Sequence, residues 1–555
     1  MLSLVLISLT ANAVPVKPGQ WKILTLADGT TVRAEAHGSE YGCWWEGDDG
    51  QCYVLRDGCF VKIDRNTLSE NIEKNYKARR GHLRRSTIPC TTDGLGSLGY
   101  NTQGALPSNG EWDIPVLMVE FTDAKFKSQH TQELIQDYLT KEGFKYEYNS
   151  KSCGSIRDYF VDQSQGKFKP NFKLLGKVSI NKSYAYYGKN PQDGGIDEKC
   201  HELPGDAMRA AKEQLQGVDF TQFSKPAPDN WHKAGIPLIC LLYAGEAESN
   251  KNEFPDLIWP HELDVDLDIE GIGVHLNSYF VGNELVMEEQ EEGPELERLA
   301  GIGVFCHELG HALGLPDWYC TNPAEEKKHP QDDAFGYWSI MDVGCYEGDS
   351  WAPVGYTVYE RSYMGWLALG VGKQKTLMLL TSPSGDAPGM LIPKTNGTDE
   401  TEYFIVETRY PSKWYPESQG TGLLLTRYAF DSNIWDENHV SWDKTARRAQ
   451  VITADQKKLW SNADPSNLFG NGVNRISGLK YLSGADMTAT ITNIQKNSDG
   501  SVTFDFDPGT GTAINAIHTD SEASAQWHDL QGRLLEGTPT EKGIYIHNGK
   551  KVVKK

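Results

Sequence analysis

The pattern of apolar and polar positions divides the chain into a β-rich beginning, a mixed middle and a β-rich end. Up to about residue 80, short apolar-aromatic pieces such as 52–55 and 60–63 lie between turns rich in Gly and Asp, which predicts hairpins. From about Glu111 onward, apolar runs at 114–121 and 237–243 predict buried strands, and periodicity predicts helices near 131–139, 155–162 and 206–215. After Trp366, strand-like segments return at 403–408, 422–426 and 502–506. The predicted fold class is therefore α+β.

The first 13 residues have the form of an export signal. An apolar run at 2–9 is followed by Ala11-Asn12-Ala13, a small-x-small site that predicts cleavage before Val14. The run is too short to span a bilayer, and no other stretch of about 18 uncharged apolar residues occurs. We therefore expect a secreted or cell-surface protein with no membrane span.

A basic run at 77–86 interrupts an otherwise acidic chain, and a linker rich in Gly, Ser, Thr and Asn follows it as far as Gly110. Exposed linkers of this composition are where proteases cut. One interpretation is a removable N-terminal unit that is released by cleavage between Arg79 and Arg85. The alternative is a solvated tether between two permanent domains.

The net charge of -22 and the sequence pI near 5.1 argue against nucleic-acid binding, which needs clustered Lys and Arg. The even count of 10 cysteines is compatible with disulfides. Cys320 lies just after Asp317 and Cys345 just after Met341, so we expect both to lie near the same point in space. A bridge between them is the preferred pairing.

The strongest chemical signal is the run from Cys306 to Asp317, which contains His307-Glu308-x-x-His311. Proline and acid are favoured in a first turn, so Pro294-Glu295 predicts a helix that starts near residue 294 and runs to Leu313. Residues four apart lie on one face of a helix, so the two imidazoles can converge on one metal ion. Glu308 is placed to act as a general base on a water at that ion. A five-residue pattern of this kind also arises by chance, so its surroundings carry weight.

Zinc bound by two imidazoles needs a third protein ligand and an open position. Gly314 can end the helix with a positive φ and return the chain toward the ion, and Pro316 prevents the helix from resuming. Asp317 then becomes the preferred third ligand. Glu360, farther downstream, is the alternative, as a glutamate on a later helix fills this role in gluzincin peptidases.

A second signal is Met341, in Tyr337-Trp338-Ser339-Ile340-Met341-Asp342-Val343-Gly344. A methionine in a tight turn after the chelating helix is typical of the structural Met turn of metzincin-type peptidases. The chelating run, this turn and the segments at 114–123, 155–160, 164–167 and 359–366 together resemble the immune inhibitor A family, metallopeptidase family six. The likeness covers about residues 14 to 508.

The resemblance implies a secreted zinc metalloendopeptidase that hydrolyses protein or peptide substrates. The predicted organisation is a signal peptide (1–13), a propeptide-like β-rich domain (14–85), a linker (86–110), a metzincin-like catalytic domain (111–371) and a β-rich, sandwich-like domain (372–508). The tail (509–555) resembles the C-terminal sorting modules of the type nine secretion route, and its alternative is an accessory β unit.

Several finer expectations complete this interpretation. Tyr346 is a candidate oxyanion donor. Cys90 or the cluster of Cys43, Cys52 and Cys59 is a candidate to occupy the open zinc position in a latent form. His261 and His275 favour structural roles. We expect a monomer, and a structural Ca²⁺ ion is left open because the sequence does not locate one. The rival function is a catalytically inactive surface adhesin or binding protein on the same scaffold.

Overall fold

The computed structural model describes residues 10–39, 41–56, 58–79, 87–89, 100–102, 104–190, 197–227, 233–250, 256–288, 296–320, 322, 333–372, 374–394, 401–457, 459, 463–509, 527–528, 534–535, 543–547 and 550–554. No helix among these residues is both long enough and apolar enough to cross a bilayer.

The helices are short and few relative to the strands. In chain order they are α1 (Arg65–Arg79), α2 (Gln132–Thr140), α3 (Ile156–Gln163), α4 (Tyr184–Gly188), α5 (Leu203–Gln214), α6 (Ile302–Ala312), α7 (Val358–Tyr363) and α8 (Ser432–Asp436). The strands are β1 (Thr10–Ala13), β2 (Trp21–Thr25), β3 (Thr31–Ser39), β4 (Gly42–Gly47), β5 (Cys52–Arg56), β6 (Cys59–Ile63), β7 (Thr87–Pro89), β8 (Tyr100–Thr102), β9 (Gly110–Glu120), β10 (Phe168–Ser179), β11 (Ile239–Tyr243), β12 (His261–Ile269), β13 (Val274–Asn283), β14 (Leu285–Glu288), β15 (Leu296–Leu299), β16 (Gly370–Val371), β17 (Thr376–Leu380), β18 (Gly389–Pro393), β19 (Glu402–Arg409), β20 (Gly422–Ala429), β21 (Ala449–Val451), β22 (Thr490–Lys496), β23 (Val502–Asp507), β24 (Trp527–His528), β25 (Leu534–Leu535), β26 (Gly543–His547) and β27 (Lys550–Lys554).

A six-stranded mixed sheet organises the middle of the chain, in the order β1-β12-β13-β11-β9-β10. The four strands β13, β11, β9 and β10 are parallel, whereas β12 is antiparallel to β13. β1 is antiparallel to β12 and closes that side of the sheet. The N-terminal segment therefore adds a strand to the sheet that the middle of the chain builds.

Both faces of this sheet are buried, which explains the continuous apolar run of β9. Val116 and Met118 face the core that contains α6, and Leu117 and Val119 face a second core that contains α5. On the α6 side, the ring of Phe305 lies 4.5 Å from that of Phe280. The helix that carries the metal-binding pattern is thus fixed directly against the sheet.

The predicted start of this helix near residue 294 is wrong. Leu296–Leu299 forms β15, which pairs antiparallel with Leu285–Glu288, and α6 begins only at Ile302. Gly301 precedes the helix in an extended conformation. A side chain at Gly303 would place its Cβ 1.8 Å from the carbonyl oxygen of Cys345, so the first turn needs glycine for close packing.

The N-terminal unit forms an antiparallel sheet in the order β2-β3-β4-β5-β6. The strand segments predicted from the sequence at 52–55 and 60–63 are confirmed as β5 and β6. The helix α1 was not predicted. Its last residues coincide with the basic run, whose remaining residues up to Ser86 lie outside the described part of the chain.

Downstream of the mixed sheet, two further sheets enclose a separate apolar core. One has the order β16-β18-β19-β20-β21 and the other the order β17-β23-β22. The opposite face of the five-stranded sheet, through Tyr403, Leu424 and Tyr428, packs into the core that contains α6. This β-rich region therefore shares apolar packing with the metal-binding helix. The tail forms a small sheet in the order β25-β24-β26-β27.

Candidate active site

His307 and His311 lie one turn apart on α6, and both are fully buried. The Nδ1 atom of His307 is 2.7 Å from the carbonyl oxygen of Ile340, and that of His311 is 2.8 Å from the carbonyl oxygen of Leu315. A carbonyl oxygen only accepts, so each Nδ1 carries the proton and donates it. The two Nε2 atoms are left as lone-pair donors, 3.1 Å apart.

The helix ends in a glycine turn that returns the chain to these nitrogens. Gly314 has φ +104°, its N–H donates to the carbonyl oxygen of His311, and Leu315 N–H donates to that of Gly310. This pair of bonds is the Schellman motif, which favours glycine at the left-handed position. Asp317 then places Oδ1 3.0 Å from Nε2 of His307 and 3.2 Å from Nε2 of His311.

The three donor atoms have the spacing and protonation states that a divalent ion requires. A tetrahedral zinc with bonds of about 2.0 Å separates its ligand atoms by about 3.3 Å. Burial would raise the pKa of Asp317, but His311 and His307 outweigh that effect and hold its pKa well below the ordinary value. Burial also lowers the pKa of His311, which favours the neutral imidazole. An ionised carboxylate and neutral imidazoles are the forms that bind metals.

Asn438 supports Asp317 from the β-rich region, and nothing in the sequence pointed to it. Its Oδ1 accepts from the backbone N–H of Asp317 at 2.7 Å, and its Nδ2 donates to Oδ2 of Asp317 at 2.6 Å. These bonds leave Oδ1 of Asp317 directed at the imidazoles. The two residues are 121 positions apart and share no motif, so no local pattern could have revealed the contact.

Met341 packs against α6 at Gly310. It is fully buried, and a Cβ on Gly310 would stand 2.6 Å from its sulfur. The backbone of Met341 is held by its own N–H, which donates to Oγ of Ser339, and by its carbonyl oxygen, which accepts from Trp318 N–H. The turn therefore braces both the helix and the residue that follows Asp317.

Glu360, the alternative third ligand, is engaged elsewhere. Its Oε1 accepts from Trp318 Nε1 and from Ser339 Oγ, each at 2.5 Å, and its Oε2 accepts from the backbone N–H of Thr357 at 2.5 Å. It completes a capping box at the start of α7. The structure thus brings Asp317, not Glu360, to the imidazoles.

The carboxylate of Glu308 faces β12 and the N-terminal segment that includes β1 and Val14. Its Oε2 accepts from the backbone N–H of Glu262 in β12 at 2.8 Å, and its Oε1 accepts from the backbone N–H of Val14 at 2.7 Å. Val14 directly follows β1, whose register places Ala13 opposite His261. The N-terminal segment therefore runs across the face of α6 that carries Glu308.

Two more contacts hold this segment. The indole Nε1 of Trp259 donates to the carbonyl oxygen of Val14 at 3.1 Å. The hydroxyl of Tyr346 donates to the carbonyl oxygen of Pro15 at 2.6 Å. Burial raises the pKa of Tyr346 well above its usual value, so the hydroxyl stays protonated. Tyr346 thus binds main chain next to Glu308, and its role as an oxyanion donor stays a prediction.

The cysteines do not follow the predicted scheme. Cys345 is a fully buried thiol, and Sγ of Cys320 lies 3.7 Å from the carbonyl oxygen of Asn322, so the predicted bridge between them is wrong. Cys43 donates to Glu248 at 3.3 Å and does not take a position at the imidazoles. Cys90 lies outside the described residues. Of the two single histidines, His275 contacts Asp268 at 2.8 Å, in keeping with a structural role.

The combination of a buried helix with two convergent imidazoles, an adjacent glutamate and a methionine turn is typical of metalloprotease catalytic domains. Residues 113–370 match the sequence model of the family described as immune inhibitor A peptidase M6, catalytic domain. This match confirms the resemblance seen in the motifs.

Two curated relatives agree with the match. The pre-pro-metalloprotease PrtV of Vibrio cholerae serotype O1 is 25% identical over 418 residues, which are 71% of this chain and 44% of the relative. Immune inhibitor A of Bacillus thuringiensis subsp. alesti is 26% identical over 267 residues, which are 42% of this chain and 36% of the relative. The chain spans less than half the length of the curated relatives it matches.

Proposed function

We propose that this chain is a secreted zinc-dependent endopeptidase with a metzincin-like catalytic domain. His307, His311 and Asp317 would hold the ion, and Glu308 would act as general base. The convergence of the three donor atoms within 3.2 Å of one another carries this proposal. Two nitrogens and one carboxylate oxygen form a donor set that suits Zn²⁺ and leaves one position open.

When bound, Zn²⁺ would lower the pKa of a coordinated water and polarise the scissile carbonyl. The protein itself would supply the group that transfers the proton of this water. Glu308 would take a proton from the attacking water and deliver it to the leaving nitrogen. The contact between Oε1 of Glu308 and the backbone nitrogen of Val14 supports this role, because it shows that the carboxylate reaches a peptide nitrogen in the cleft.

The position of β1 supports an extended mode of substrate binding. β1 is antiparallel to β12, which would be the edge strand of the sheet without it. An unpaired sheet edge is a common site for the addition of a peptide strand. A peptide bound in this way continues on both sides of Glu308, as the N-terminal segment does. That continuity favours an endopeptidase over an enzyme that trims chain ends.

A candidate pocket for one side chain of the substrate lies beside the residues that follow Val14. A cavity of about 190 Å³ borders Lys17 and Tyr346 and extends to Val304 of α6, Arg298 and Glu246. Because Arg298 and Glu246 are among its lining residues, it would favour polar or charged side chains at the matching substrate position.

We further propose that residues 14–85 are a propeptide that keeps the enzyme latent. Within this unit, the backbone of Val14 and Pro15 engages Glu308, Trp259 and Tyr346. Cleavage at the basic run between Arg79 and Arg85 would free the N-terminal unit. The name of the Vibrio relative, a pre-pro-metalloprotease, is that of a precursor and agrees with this arrangement.

Replacement of Glu308 tests the catalytic proposal. Glu308→Gln keeps the size and shape of the side chain but removes the base, so casein hydrolysis by the cleaved protein should be lost while zinc content is unchanged. His311→Ala, the matched variant, should lose casein hydrolysis together with the zinc bound at His307, His311 and Asp317. A Glu308→Gln protein that hydrolyses casein at the wild-type rate would refute the assigned role.

Controlled proteolysis tests latency. Trypsin treatment should cut the basic run and raise casein hydrolysis, whereas a variant with Gln at Lys77, Arg79, Arg80, Arg84 and Arg85 should remain uncut in this run and inactive. Equal activity of the cut and uncut forms would contradict the propeptide assignment.

A further inference from the structure

A second group of metal-binding side chains lies behind the edge of the cleft. Asp197, Cys200 and His261 each offer one donor atom, and these atoms all lie within 4.8 Å of one another. All three residues are buried, with exposures of 5%, 2% and 3%. Sequence spacing gives no hint of this group, because His261 begins β12 whereas Asp197 and Cys200 precede α5.

The distances in this group approach those of an occupied site. Tetrahedral zinc with bonds of about 2.0 Å to oxygen and nitrogen and about 2.3 Å to sulfur separates its ligands by about 3.3–3.8 Å. Oδ2 of Asp197 lies 3.9 Å from Nδ1 of His261. Closure of the widest separation would require side-chain movements of only about 1 Å.

The surroundings of His261 are compatible with ligation through Nδ1. Its Nε2 lies 3.2 Å from the hydroxyl oxygen of Tyr279, which can accept a proton from the ring. Nδ1 itself lies 2.8 Å from the carbonyl oxygen of Trp259 and donates to it in the metal-free protein, so metal binding through Nδ1 would move the ring proton to Nε2. The Trp259 carbonyl oxygen, released from this hydrogen bond, would be a candidate fourth donor. Metal-binding histidines typically donate a hydrogen bond from the other ring nitrogen to a nearby acceptor.

We propose that Asp197, Cys200 and His261 form a second, structural metal site for Zn²⁺ or a divalent ion of similar softness. A thiolate and an imidazole favour zinc over Ca²⁺ or Mg²⁺, which prefer oxygen ligands. The site uses none of the residues assigned to catalysis, so it stands independently of the proposed function.

This site would stabilise the rim of the substrate cleft. Oδ2 of Asp197 accepts from the backbone N–H of Trp259 at 2.9 Å, and the Trp259 indole contacts the carbonyl oxygen of Val14. His261 is the first residue of the edge strand. An ion held here would connect the segment before α5 to the strand and to the indole that contact a bound peptide.

Cobalt substitution distinguishes this site from the catalytic one. The group of His307, His311 and Asp317 contains no sulfur, so a sulfur-to-cobalt charge-transfer band in the near ultraviolet would report only thiolate ligation. The full-length protein, freed of metal and titrated with Co²⁺, should bind about two equivalents and develop this band. His307→Ala/His311→Ala should bind one equivalent and keep the band.

The thiol variants supply the matched control. Cys200→Ala should lose the band and one equivalent, whereas Cys345→Ala, which removes the buried thiol after the methionine turn, should keep both. Circular dichroism checks that each variant is folded, and His261→Gln replaces Cys200→Ala if the latter is not. Absence of the band in the wild-type protein, or its loss in His307→Ala/His311→Ala, would overturn the proposal.

Discussion

Asn438 gives the sharpest test of how the third ligand is held. Because this residue has φ +53°, alanine would add backbone strain, whereas glycine removes the side chain without it. Asn438→Gly deletes both hydrogen bonds to Asp317, including the one at 2.6 Å to the carboxylate. Asp317 could then rotate away from the imidazoles.

The size of the effect follows from the contacts removed. A hydrogen bond to a charged group contributes about 1.5–3 kcal/mol. Loss of a group that orients a metal ligand typically weakens metal affinity about 10–100-fold, which corresponds to about 1.4–2.8 kcal/mol. We therefore expect the zinc affinity of Asn438→Gly to fall by roughly 10–100-fold.

Zinc-buffered titration of the metal-free, trypsin-cleaved protein measures this affinity, with casein hydrolysis as the readout. Asn433→Ala, an exposed asparagine in the adjacent α8, is the control and should titrate like the wild type. An unchanged zinc affinity in Asn438→Gly would show that Asp317 does not depend on this amide. An equal loss in both variants would point to a general effect on stability.

Two further predictions concern stability. Gly310→Ala should lower the free energy of unfolding by about 1–3 kcal/mol, because its Cβ would lie 2.6 Å from the sulfur of Met341. Denaturant titration measures this change. The control is Gly370→Ala, whose Cβ would meet open space and which should leave the free energy of unfolding nearly unchanged. Burial, with the nearby Asp333, raises the pKa of Asp342 from its ordinary 3.8 to about 7. The folded state therefore holds a proton that the unfolded chain has released, so this contribution is fully present below about pH 3.8 and is lost as pH rises through about 7. Unfolding free energies from pH 4 to 8 should fall less steeply in Asp342→Asn than in the wild type, and identical slopes would contradict this assignment.

The local part of the candidate site could be predicted because its geometry is encoded by spacing. His307, His311, Gly314 and Asp317 lie within one helix and one turn, so helical periodicity and the left-handed preference of glycine were enough to bring them together in advance.

The remaining contacts depend on tertiary structure. Val14 reaches Glu308 across 294 residues, and this contact exists only because β1 adds to β12. The same limit explains the error at the start of α6. Leu296–Leu299 has no strong strand signal of its own and becomes a strand through its pairing with Leu285–Glu288.

The contact between Asn438 and Asp317 also bears on where the functional unit ends. The match to the family's catalytic-domain model ends at residue 370, yet the amide that orients one donor carboxylate lies 68 residues beyond that limit (438 minus 370). A fragment trimmed at the similarity boundary would retain every donor atom and still lack the group that aims one of them. Recombinant fragments and chimeras of this chain should therefore carry the downstream sheets along with the metal-binding helix.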